Sequence, residues 1–131
     1  MSQLFMVFIG GGLGAACRYI VTTHVGARFG TFFPFGTLMV NTVGSFLMGV
    51  VMGVLLLLVE QSNFTDEPWK MLLTVGFLGG FTTFSSFSME TLTLLRGGSY
   101  LYAVLNVLAN IACGLFAVAG GMSIGHIILR G

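Results

Sequence analysis

GFLGGFTTFSSFSME, residues 76–90, joins paired glycines at Gly79 and Gly80, hydroxyls at Thr82, Thr83, Ser85, Ser86 and Ser88, and phenylalanines at Phe81, Phe84 and Phe87. A plain membrane span needs none of these, yet the run lies inside an apolar segment. It reads as a helix built to be interrupted. In hydrocarbon, a break survives only where other protein, bound ions or water-filled cavities satisfy the freed backbone groups. The stretch is therefore read as an ion site.

The chain around it is 56% hydrophobic and 7% charged, against about 25% charged residues in an ordinary soluble domain. Four runs, Met1–Cys17, Phe29–Val59, Met71–Met89 and Gly97–Leu129, contain no Asp, Glu, Lys or Arg. A membrane-spanning helix needs about 20 mainly apolar residues. The expectation is a single all-α membrane domain over residues 1–131, with spans at about 4–25, 35–59, 68–96 and 99–129 and a break near 79–83 in the third. No basic region precedes the first apolar run, so it is expected to stay as a span rather than act as a cleaved signal. The net charge of +1, with no basic or acidic block, suggests no nucleic-acid partner, and the partner implied by the apolar runs is the lipid bilayer itself.

Outward from the break, the first span carries a face of small residues, Gly10, Gly11, Gly12, Gly14, Ala15 and Ala16, and then Arg18. Small residues let helices approach closely in lipid, where packing is a main driving force. Arg18 has two readings, an arginine snorkelling to the interface or positive potential for an anion vestibule. The second span carries Asn41 at depth and a Gly49 to Gly53 GxxxG. Asn41 either bonds a neighbouring helix or aims an amide N–H into a pore. Residues 60–67 form the one hydrophilic loop, and Trp69 with Lys70 after it reads as an interfacial anchor, as do Tyr100 and Tyr102. In the fourth span, Tyr102, Asn106 and Asn110 recur every fourth residue and share one helix face, continued by Gly114.

Cys17 and Cys113 lie in different spans without CxxC spacing and are assigned to packing. His24 and His126 sit near span ends with no second ligand at helical spacing, which argues against a metal role. No nucleophile–base pair, acid pair or phosphate loop is visible, so an enzyme is not expected. The third span offers neutral donors instead: hydroxyls, N–H groups at a broken helix and phenyl edges, whose hydrogens carry the positive part of the ring quadrupole. These suit a small anion. The competing reading is core packing, with hydroxyls bonded back to the previous turn. Glu90 would repel an anion and reads as a structural or gating acid. Carbonyls freed at the break are the ligand type that replaces a cation's hydration shell in channels, so an alkali cation could seal it. Lys and Arg are nearly balanced between the two sides, which leaves orientation weakly set and makes an antiparallel homodimer a natural assembly.

GTLMVN at Gly36–Asn41, the glycine-rich approach to Arg18 and the GGxTTFSxFSxE core of the third span together make the chain resemble the small fluoride channels called Fluc or CrcB over essentially its whole length. The resemblance implies an antiparallel, dual-topology homodimer in the bacterial inner membrane, passing fluoride through two pores. It implies that Phe84 and Phe87 turn their edges to the anion, with Asn41, Ser85 and Ser88 beside them. Arg18 is then the vestibule arginine and Glu90 the acid ending the motif, while the backbone carbonyls of Gly79 and Thr82 hold a structural sodium ion (Na+) between subunits. The chain departs from the family in the fourth span, where Asn106 and Asn110 stand at positions that commonly carry hydroxyls. The alternative is a small multidrug or guanidinium exporter coupled to protons, which uses a buried glutamate in its first span; here that span has Arg18 and no acid. A third reading is a membrane subunit without transport activity.

Overall fold

The computed structural model describes residues 2–59 and 68–130. The hydrophilic loop expected at residues 60–67 lies outside them. All regular structure among the described residues is helical, with four stretches long and apolar enough to cross a membrane. They are α1 (Ser2–Phe29), α2 (Phe35–Val59), the broken third span, and α5 (Tyr100–Arg130). The third span consists of α3, residues 68–81, and α4, Phe84–Arg96. Within α3 the middle part, Leu72–Leu78, is wound as a π-helix, a form that is rare and concentrates at functional sites.

α1 runs four residues past Val25, because Gly26 is accommodated within the helix and the chain turns only at Gly30, where φ is +86°. α4 ends in a Schellman motif: Gly98 takes φ +82°, Ser99 N–H donates to Leu94 O at 2.9 Å and Gly98 N–H to Leu95 O at 3.1 Å. Those bonds satisfy carbonyls that a helix end otherwise leaves exposed.

The two halves of the third span belong to different helix pairs. α3 packs on α1, whereas α4 packs on α5, and α2 lies along α5 in the most extensive pairing of the fold. Backbone contact is what makes both pairings tight. A Cβ on Gly10 or Gly14 would strike the carbonyls of Leu72 and Phe77 on α3. Between α2 and α5 four glycines interlock: Gly49 faces Val118 O and Gly53 faces Met122 O, while Gly121 faces Phe46 O and Gly125 faces Val50 O. Of this set, the Gly121 to Gly125 pair carries no assignment in the sequence reading.

Gly79 and Gly80 are helical, so the glycines are not themselves the break, contrary to what their pairing suggests. Gly80 instead lets α1 approach, since a Cβ there would lie 2.6 Å from Gly11 O. The interruption falls on Thr82 and Thr83, both extended.

The residues read as interfacial anchors differ in their surroundings. Trp69 is surface-exposed, but Lys70 beside it is buried, with Nζ 5.8 Å from the Trp69 ring centroid. Tyr102 packs on the loop between α1 and α2, its ring 5.9 Å from Phe32 and 6.0 Å from Phe33. Large apolar side chains such as Phe8 and Phe116 point outward from the bundle, as lipid-facing or chain-facing surfaces require.

Candidate functional site

At the break, two hydrogen bonds that a continuous helix would make are redirected, while Thr82 N–H keeps its bond to Leu78 O at 3.1 Å. In such a helix Thr83 N–H would donate to Gly79 O and Ser86 N–H to Thr82 O. Thr83 N–H donates instead to Asn41 Oδ1 at 2.8 Å, and Ser86 N–H to Thr83 Oγ1 at 3.1 Å, which makes Thr83 the N-cap of α4. The carbonyls of Gly79 and Thr82 thereby lose their helical donors. The Gly80 carbonyl between them accepts from Arg18 Nε at 3.1 Å. Arg18 thus reaches inward from α1 to the C-terminal turn of α3, where the helix dipole favours a cation, rather than snorkelling to the interface.

Freed carbonyl oxygens such as those of Gly79 and Thr82 are the chemical type that would hold an alkali cation in a channel. Two oxygens from one chain make only part of a coordination shell. No group of three His, Cys, Asp or Glu side chains able to hold a metal occurs among the described residues.

Asn41 grips the break from α2. Besides accepting from Thr83 N–H, its Nδ2 donates to Thr83 O at 3.1 Å and to Asn110 Oδ1 at 3.0 Å. Because Thr83 N–H can only donate, the amide orientation follows from the network. Both Nδ2 hydrogens are therefore engaged within the protein; they do not point freely into a pore. Asn110 Nδ2 donates to the Oδ1 and backbone oxygen of Asn106 at 3.0 and 2.9 Å, and Asn106 Nδ2 donates to Thr91 Oγ1 at 2.9 Å. The shared face of Tyr102, Asn106 and Asn110 therefore divides: Asn110 lines a cavity, whereas Asn106 is 0% exposed and stands behind the wall.

Two cavities share Thr83 in their walls. One, of about 420 Å³, is lined by Arg18, Thr22, Thr37, Ser86, Glu90 and Thr93 together with loop aromatics. Its Glu90 accepts a hydrogen bond from Thr37 Oγ1 at 2.5 Å, an assignment of Thr37 that sequence reading lacked. The other, of about 300 Å³, is lined by Asn41, Ser45, Thr82, Phe84, Phe87 and Asn110. Phe84 is 79% exposed on its open side, with its ring centroid 5.7 Å from that of Phe87 and the planes tilted by 52°. Ser85 and Ser88 are exposed on the same half-helix; Ser85 Oγ lies 3.4 Å from Thr83 Oγ1. Ser86, to which the sequence assigned no role, faces the first cavity. The helical register explains this: Ser86 falls on the Arg18 side of α4, and Ser85 and Ser88 fall outside.

Comparison with known proteins gives the family. Residues 5–122 match the family described as CrcB-like protein, Camphor Resistance (CrcB). A protein of Shewanella baltica named fluoride-specific ion channel FluC is 45% identical over 124 residues, covering 95% of this chain and 96% of its own. One of Alteromonas mediterranea with the same name is 49% identical over 108 residues, covering 82% of each. A further one, from Shewanella oneidensis, is 45% identical over 124 residues. With a match across most of its length and a broken, glycine-packed third span, the chain belongs to the CrcB-like family.

Proposed function

We propose that the protein is a fluoride channel of the bacterial inner membrane, conducting F⁻ passively and lowering fluoride inside the cell. The observation that carries this reading is the pair of cavities meeting at Thr83, one holding Arg18 and the other edged by Phe84 and Phe87. Fluoride is small and strongly hydrated, so its passage requires that water be replaced step by step. Arg18 draws the anion into the first cavity, and Thr83 and Ser86 offer hydroxyls there, while the Thr37 hydroxyl is spent on Glu90. Beyond the break, phenyl edges and the hydroxyls of Ser85 and Ser88 take over. Glu90, which accepts from Thr37 in the same cavity, would repel an anion and acts as a structural or gating acid rather than as a ligand.

The working unit is an antiparallel homodimer. Phe84, Gly79, Ser85 and Ser88 are exposed in one chain, and a phenyl edge that faces lipid or water cannot strip a hydration shell. A second copy would cover this face and bring a second pair of Gly79 and Thr82 carbonyls to the same point. Sodium held by those four oxygens would hold the two breaks together and supply positive charge beside both pores.

Fluoride efflux from liposomes carrying the purified protein tests the reading. Efflux of fluoride with chloride retained is expected; no efflux, or equal chloride efflux, overturns it. A proton-coupled exporter of organic cations is disfavoured because α1 has no Asp or Glu, and Glu90 is the single acid among the described residues.

A further inference from the structure

The hydrogen bonds from Asn41 do not end at Asn110. They continue through Asn106 to Thr91, and the Thr91 hydroxyl donates to Phe87 O at 2.8 Å. The path starts at Thr83, the N-cap of α4, crosses α2 and α5, and returns to α4 one turn beyond Phe87. It is a closed circuit around a single half-helix. Each member uses its polar atoms on the next: Asn106 donates to Thr91 and accepts from Asn110, while Asn110 donates to Asn106 and accepts from Asn41.

Resting on the channel reading above, we propose that Thr91 and Asn106 are positioning residues for conduction. They touch neither cavity, but they fix the two groups that do. Asn106, fully buried, holds the Asn110 amide with its Oδ1 turned to Asn41, which in turn keeps the Asn41 amide across the Thr83 peptide. Thr91 ties the carbonyl of Phe87 and so the rotation of the α4 turn that presents the Phe84 and Phe87 rings. A buried polar network of this kind is stable only when each member is satisfied. Removing one member leaves the next with an unpaired donor or acceptor, which costs more than the bond itself contributed.

The distinguishing substitutions are Thr91→Val, which keeps the shape of the side chain and removes the hydroxyl, and Thr91→Ser, which keeps the hydroxyl. Asn106→Leu and the double variant Thr91→Val/Asn106→Leu complete a cycle. The readouts are fluoride efflux per reconstituted protein and the thermal midpoint of the purified protein in detergent. Thr91→Val and Asn106→Leu are each expected to slow efflux about tenfold, the double variant to be no slower than the worse single variant, and Thr91→Ser to conduct like the wild type. Multiplying losses in the double variant, wild-type efflux by Thr91→Val, or efflux by Thr91→Ser as slow as that of Thr91→Val would overturn the proposal. If Asn106→Leu fails to fold, the Val and Ser pair at Thr91 decides alone. Absence of fluoride efflux from the wild type would instead remove the channel reading, and this proposal with it.

Discussion

Asn41→Asp separates the two tasks this side chain performs. An aspartate keeps an oxygen where Oδ1 accepts from Thr83 N–H at 2.8 Å, so the break can stay open. It replaces Nδ2 by a second oxygen. That oxygen faces Thr83 O at 3.1 Å and Asn110 Oδ1 at 3.0 Å, turning two donations into two contacts between acceptors. Losing two hydrogen bonds of about 0.5–1.5 kcal/mol each removes roughly 1–3 kcal/mol. The new charge also lies on the wall of the cavity edged by Phe84 and Phe87. At a separation of about 4 Å and an effective dielectric of about 20, it would repel a passing anion by about 4 kcal/mol. Since about 1.4 kcal/mol is a factor of ten, the electrostatic part alone predicts a fall of more than a hundredfold in fluoride efflux. The bond loss is smaller and is read separately as a lowered thermal midpoint. The assay is efflux from liposomes followed with a fluoride electrode, at matched protein density, beside thermal unfolding in detergent. Efflux within threefold of wild type, with Asn41→Asp incorporated at equal density, would refute the placement of Asn41 beside the anion path.

Three further outcomes are expected. Arg18→Gln removes the charge from the larger cavity and the Nε bond to Gly80 O, so fluoride efflux at low salt should fall by about tenfold and lose most of its salt dependence; an unchanged salt dependence would count against Arg18 as an anion attractor. A Cβ at Gly49 meets Val118 O, whereas one at Gly120 meets nothing within 4 Å, so Gly49→Ala should lose about 2 kcal/mol and Gly120→Ala should not, as thermal midpoints will show. Replacing sodium by a large organic cation throughout purification should weaken the dimer, measured as its dissociation on dilution, if the Gly79 and Thr82 carbonyls hold Na+; dimer affinity independent of sodium would remove that assignment.

The membrane class, the helical spans and the presence of a break in the third could be read from residue types, because insertion into lipid responds to local apolar length and to backbone hydrogen-bonding capacity. The motif of residues 76–90 likewise marked the region of the site. What residue types left undecided was which group does which task. Gly79 and Gly80 look like a hinge, yet they remain helical, and Gly80 is a contact surface for α1. Arg18 allowed an interfacial or an inward reading, and only the position of α3 against α1 brings its guanidinium to Gly80 O. Asn41 allowed a packing or a pore reading; the fold places it at the break with both hydrogens spent, so it anchors the site while lining it.

The fourth span shows the same division. Spacing by four puts Asn106 and Asn110 on one face, since helical periodicity is local. It does not say how deep each lies. Depth depends on where α4 crosses α5, and that crossing hides Asn106 while leaving Asn110 at the cavity. By itself, then, the sequence determined the spans, the break and the inventory of donors, because these follow from the solvent and from neighbours along the chain. Only the tertiary structure decided that the Gly79 carbonyl was freed and the Asn41 amide spent, because those outcomes depend on partners 42 to 69 residues away.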